Sequence, residues 1–154
     1  MTNSYVNATM LDSHVGLVLT EWGDEQNAMT ISCFAEAAHY PRTIWISVAP
    51  ESYTRELIDA GGRFTLAVLH CGQRDIAWQC GTRSGRQTNK LVHLRTHRGP
   101  GGCLYLDDSL SAVACCVQRS NRIGDHIMYV AEIVAGEIET RNSSKQPLLI
   151  KDLL

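Results

Sequence analysis

Apolar and polar positions alternate along much of this chain with the period of two that a β-strand imposes. Val15 to Trp22 (VGLVLTEW) puts Val15, Leu17 and Leu19 on one face and Val18 and Thr20 on the other. Gly23-Asp24 supplies a turn, and Asn27 to Phe34 has the character of a partner strand, so a hairpin is predicted. Within Asn27 to Thr54 (NAMTISCFAEAAHYPRTIWISVAPESYT) two strands are expected, Ala28 to Cys33 and Thr43 to Val48, joined by a loop. Tyr40-Pro41 breaks whatever precedes it, because proline removes a ladder donor and biases its predecessor to extended geometry. Ile44, Ile46 and Val48 then face one way, and Thr43, Trp45 and Ser47 the other.

Beyond Pro50 the period changes. Ser52 is a suitable N-cap for a short helix from Tyr53 to Ala60, stopped by Gly61-Gly62. Phe64 to Leu69 (FTLAVL) is a strand, and Gly72 to Gly81 a second short helix with Ile76, Ala77 and Cys80 at helical spacing. Thr82 to Leu91 is polar and turn-like, with three cations among ten residues. From Val92 to Asp107 the pattern weakens, and Gly99-Pro100-Gly101-Gly102 marks a loop. Leu110 to Val117 is a strand of small apolar residues, Asn121 to Asp125 a connection, and His126 to Ile138 a long final strand in which Gly136 suggests a bulge or close approach. Met1 to Ser13 carries little pattern. The tail at Pro147 to Ile150 is expected to cover a barrel end or a partner subunit.

Six or seven strands and two short helices without a βαβ rhythm predict a mainly β, antiparallel architecture, closed or partly closed. The 154 residues suit one domain with a proper core, and 44% apolar content suits a globular one. Fourteen Lys and Arg against sixteen Asp and Glu give a formal charge of −2, which offers no footprint for nucleic acid or an anionic membrane. No secretory leader or membrane span is visible, so the cytoplasm is the expected compartment. The six cysteines form no C-x-x-C pair and read as reduced, mostly small buried residues. His93 and His97 stand four apart without a third ligand, so no metal site is expected. Trp45 and Trp78 are expected in the core or at a dimer interface. There is no G-x-G-x-x-G after a strand, no P-loop and no G-x-S-x-G.

The Asn27 to Thr54 stretch has the donors that a flat, polar-edged ring with an anionic tail requires. Backbone N–H groups at Met29, Thr30, Ile31 and Ser32 can meet a ring edge where a strand edge is open. The helix start at Ser52-Tyr53-Thr54 offers N–H groups, hydroxyls and a favourable dipole to a phosphate, and Lys90, Arg83 or Arg86 can bring charge. As local structure, Ser52 and Thr54 also suit a simple helix cap.

Several motifs in order carry a resemblance: Met29-Thr30-Ile31-Ser32, the strand ending in Ser47-Val48, Ser52-x-Thr54 opening a helix, Phe64 to Leu69 followed by Gln73, Ser84-Gly85 with Lys90, Gly124-Asp125-His126, and Pro147-Leu148-Leu149. Together they resemble the flavin reductase-like family, the FMN-binding split barrels. The resemblance implies a Greek-key split barrel over the whole chain, working as a homodimer. It also implies FMN (FAD being the alternative) as cofactor and NAD(P)H as hydride donor, with electrons passed to free flavin, an oxygenase or another redox partner.

The cofactor-binding residues it implies are Asn27, Ala28, Met29, Thr30, Ile31, Ser32, Ser47, Val48, Ser52, Thr54 and Lys90. His126 is the implied catalytic residue, near flavin and nicotinamide. Two departures stand out: Ala67 where the family often has Asn, and Asn89-Lys90-Leu91 where it has Asp-Lys-Phe. They keep two other readings open, a non-catalytic FMN electron carrier and a β-barrel interaction module without flavin.

Overall fold

The structure, a computed structural model, describes residues 11–138 and 142–153. The first ten residues of the predicted amino-terminal segment therefore lie outside it. Seven strands make one antiparallel sheet: β1 (Gly16–Trp22), β2 (Glu25–Ile31), β3 (Phe34–His39), β4 (Arg42–Val48), β5 (Arg63–Val68), β8 (Ser111–Ile123) and β9 (His126–Ile138). Their order is β2-β1-β5-β8-β9-β4-β3. A two-stranded ribbon, β6 (Thr96–Arg98) with β7 (Leu104–Leu106), lies beside it. Helix α1 spans Tyr53–Gly61 and α2 spans Arg74–Thr82.

Chain connectivity curls this sheet. Its two edge strands, β2 and β3, are consecutive, and Ile31 and Phe34 are only three residues apart, which bounds their separation at about 11 Å. The edges must meet at that end, and Ser47 N donates to Cys33 O at 2.9 Å across the junction. The sheet is thus a split barrel, as expected.

Strand β1 buries both faces. Val18 joins Ile44, Ile46, Val48, Phe64, Leu66 and Tyr129 in one apolar cluster with Ile58 of α1. Leu17 and Leu19 join Ala28, Ala67 and Leu69 in a second, with Ala77 and Cys80 of α2 and Leu104 and Leu106 of β7. Helix α1 begins and ends as its sequence signals. Ser52 Oγ accepts from Arg55 N at 3.2 Å, and Gly62, at φ 70°, donates its N–H to Ile58 O. The predicted Gly72 start of the second helix is a 3₁₀ turn, Cys71–Gln73, which leads into α2.

Two expectations are corrected, the weakly patterned segment gains a ribbon, and Gly136 is the close approach that was one of its two readings. The loop expected between Cys33 and Thr43 is mostly strand β3, paired with β4. The connection expected at Asn121 to Asp125 shrinks to Gly124-Asp125, because β8 continues to Ile123 in register with β9. The weak Val92 to Asp107 segment contains the β6–β7 ribbon. Gly136 marks a close approach, a Cβ there lying 2.9 Å from Ala112 O, while the irregularity in β9 falls two residues earlier, between Ile133 and Ala135. The tail packs on β1 and the end of β5: Val15 N donates to Leu148 O and Leu148 N to Leu69 O, and Leu148 is buried.

Candidate functional site

Helix α2 lies directly on β2. Thr30 Oγ1 donates to Ala77 O at 2.5 Å, and a Cβ on Gly81 would stand 3.3 Å from Thr30 Cβ. Past the helix, Gly85 packs on Asn27 so closely that a Cβ there would lie 2.6 Å from Asn27 Cγ and 3.0 Å from Tyr53 Cδ2. The chain from Ala77 to Gly85 therefore follows β2 from Thr30 back to Asn27 and reaches the start of α1. Asn27 Nδ2 donates to Thr54 Oγ1 at 2.9 Å, and both residues are buried. Asn27 Oδ1 is buried without a hydrogen-bond partner.

At that end Arg86 Nη1 donates to Glu51 O at 2.9 Å. Its guanidinium also pairs with Glu56 and lies 5.4 Å over the Tyr53 ring, a cation–π distance. Ser52 Oγ donates to Ala49 O at 2.8 Å while accepting from Arg55 N. The first-turn N–H groups of Tyr53 and Thr54 have no intrahelical acceptor by helix geometry.

At the other end a cavity of about 300 Å³ opens beside Thr30, Ile31 and Ser32, walled by Trp78, Gly81 and Thr82 of α2. That volume is the lower limit of ordinary ligand pockets, roughly 300–1,000 Å³. Strand β2 pairs with β1 alone, so alternate backbone groups on its other edge face away from the sheet.

The structure thus brings Asn27, Ser52 and Thr54 together at one end of β2 and Thr30, Ile31 and Ser32 at the other. Ala28 is buried in the core and Met29 half-buried beside it. Ser47 and Val48 adjoin the split, through the Ser47–Cys33 bond and the pairing of Val48 with Ile127. His126, half-buried, is next to Ile127, with Nδ1 2.8 Å from Asp125 Oδ1. Lys90 is buried against the end of α2, its Nζ donating to Cys80 O at 2.9 Å. That burial lowers its pKa, with the nearby Cys80 opposing the shift. Trp78, expected in a core or interface, is 57% exposed on the cavity rim. The Gly81 and Thr82 contributions to the cavity carry no local sequence signal, since Gly81 reads simply as a helix stop.

Residues 9–152 match the model of the flavin reductase like domain. The chain belongs to the flavin reductase-like family. Among sequence relatives it is 28% identical over 123 residues to a Nostoc sp. protein described as a diflavin flavoprotein, covering 79% of this chain and 21% of that protein. It thus spans about a fifth of that relative's length. Among solved structures, an FMN-binding protein from Thermus thermophilus superposes with a TM-score of 0.83 at 21% identity, covering 91% of this chain and 80% of the other. A Streptomyces globisporus NADH:FAD oxidoreductase gives 0.83 at 18% identity, covering 94% and 84%. These likenesses show that this flavin reductase-like chain has the fold of known flavin-binding proteins.

Proposed function

We propose that this chain is a cytoplasmic, homodimeric oxidoreductase that holds FMN along β2 and takes hydride from NADH or NADPH. The observation that carries this is the cavity beside Thr30 to Ser32 at one end of β2, with the first turn of α1 tied to Asn27 at the other through the Asn27–Thr54 bond. Five residues of strand separate Asn27 from Ser32, about 17 Å at ~3.3 Å per residue, room for a ring at one end and a phosphate at the other.

The residues present fit that cofactor. Outward backbone groups of β2 meet the ring's polar edge, Trp78 and Thr82 shield it from water, and the N–H group of Tyr53 receives the phosphate beside Arg86. Ser52 orients that first turn as its cap. Thr54, being buried, acts by holding Asn27 in place, and Lys90 steadies the end of α2. His126, beside the end of β4, orients the nicotinamide. Bound FMN would supply the two-electron chemistry, accepting hydride at N5. FAD as cofactor, and free flavin or an oxygenase as acceptor, fit the same arrangement.

Anaerobic mixing of the FMN-loaded protein with NADH, then NADPH, tests this reading. Catalytic bleaching near ~450 nm is expected. Bound but unbleached FMN would identify an electron carrier instead, and failure to take up any flavin would leave an interaction module.

A further inference from the structure

The other end of α2 borders a larger cavity of about 700 Å³, whose walls include His70, Gln73, His93, Arg95 and Lys145. His70 is 3% exposed. Its Nδ1 accepts from Gly72 N at 3.1 Å, which assigns the neutral ring's proton to Nε2. That Nε2 is buried without a hydrogen-bond partner. Asp108 Oδ2 lies 3.8 Å from it, beyond hydrogen-bond reach. A buried donor without an acceptor is a costly thing for a fold to keep.

The same turn fixes Gln73, 4% exposed: its Oε1 accepts from His70 N at 3.0 Å, leaving its amide NH₂ as a donor. Two backbone N–H groups therefore set the orientation of both side chains and commit their acceptor atoms. Arg95 and Lys145 add two fixed positive charges from separate segments. Asp107 and Asp108 also reach this wall, and Asp108 Oδ2 is the carboxylate oxygen facing His70. Asp107 pairs with His97, and Asp108 Oδ1 accepts from Asn142 Nδ2 at 2.9 Å.

An imidazole N–H, an amide NH₂, a guanidinium and an ammonium outnumber the one carboxylate oxygen left facing them, and together they suit an acceptor-rich ligand. We infer that this cavity is a binding site for a small oxyanion, the phosphate or carboxylate group of an organic acid, received by His70 Nε2 and Gln73 and countered by Arg95 and Lys145. It lies across the length of α2 from the β2 edge, and its ligand is independent of flavin.

The test follows the imidazole nitrogens of the full chain by long-range ¹H–¹⁵N correlation spectra during titration with inorganic phosphate or with succinate, chloride holding ionic strength constant. The His70 ring signals are expected to shift saturably with at least one of the two anions, and the anion that acts tells phosphate from carboxylate. Arg95→Gln combined with Lys145→Gln should weaken that response at least tenfold while the other imidazole signals keep their positions in the unliganded spectrum. A non-saturating shift with both anions, or a response of undiminished affinity in the double variant, overturns the assignment. Phosphate bound at the β2 edge would leave His70 unmoved and counts against it equally.

Discussion

Gly85→Ala is the substitution that most sharply tests how the chain past α2 packs on Asn27 of β2. The added methyl would land on Asn27 Oδ1 and lie 2.6 Å from Asn27 Cγ, so the buried Asn27 side chain must move and release its 2.9 Å bond to Thr54. Overpacking of this kind costs about 1–3 kcal/mol, and a lost internal hydrogen bond about 0.5–1.5 kcal/mol more. The sum, about 1.5–4.5 kcal/mol, corresponds to a fall in Tm of about 3–18 °C for a chain of this size. Differential scanning calorimetry reads it directly. In an Asn27→Ala background only the Tyr53 ring, 3.0 Å away, still crowds the methyl, and the Gly85→Ala penalty should fall to about half or less. An unchanged Tm for the single variant, or an equal penalty in both backgrounds, would refute the packing argument.

Three further outcomes follow from the same structure. Tyr129→Phe removes the 2.6 Å bond from the phenol to Asp59 Oδ1, and urea unfolding should show a loss of about 1.5–3 kcal/mol, as for hydrogen bonds to charged groups. His97 faces Asp107 through Nδ1 and Glu137 through Nε2 at 2.8 Å, beside the stacked Tyr105 ring, so both nitrogens are best used as donors. The Asp107 bond, with Glu137 assisting against burial, raises the His97 pKa. Its stabilisation is complete below the unfolded value of ~6.5 and fades as pH rises through the folded value. The stability gap between wild type and His97→Gln should therefore narrow from pH ~5.5 to ~8.5, and a gap that widens would contradict the clamp. Burial pushes the Cys115 thiol up to about 12, with Cys116 and Cys103 adding to it, whereas Cys33 and Cys71 are exposed. Iodoacetamide at pH ~8 should label Cys33 and Cys71 and spare Cys115 in the native protein, as read by peptide mass spectrometry.

Strands β1, β4, β5 and β9 were legible because each carries an alternating or continuous apolar run that a core must absorb. Strand β3 was not: Ala35 to His39 are all exposed, and alanine, glutamate and histidine have little strand preference. Pairing with β4 makes it a strand, and that contact is not written locally. The outer half of β8, Gln118 to Ile123, is exposed on both faces, so its hairpin with β9 had no pattern to show. In the site, the Ser52 cap was readable because its hydrogen bond spans three residues. Asn27–Thr54 and Thr30–Ala77 join positions 27 and 47 apart, and no periodicity reveals such pairs. Lys90 illustrates the converse, a cation in a polar run that the fold draws inward to the end of α2.

A flavin lying along β2 is tested most directly by a fluorescence titration of the purified chain with FMN. Thr82→Trp, at the exposed rim of the cavity beside Thr30 to Ser32, supplies the paired measurement. Saturable quenching with one FMN per chain is expected for the wild type, with affinity at least tenfold weaker once tryptophan fills the rim. FMN binding that ignores the plug, or a wild-type chain that binds no FMN, would contradict the account.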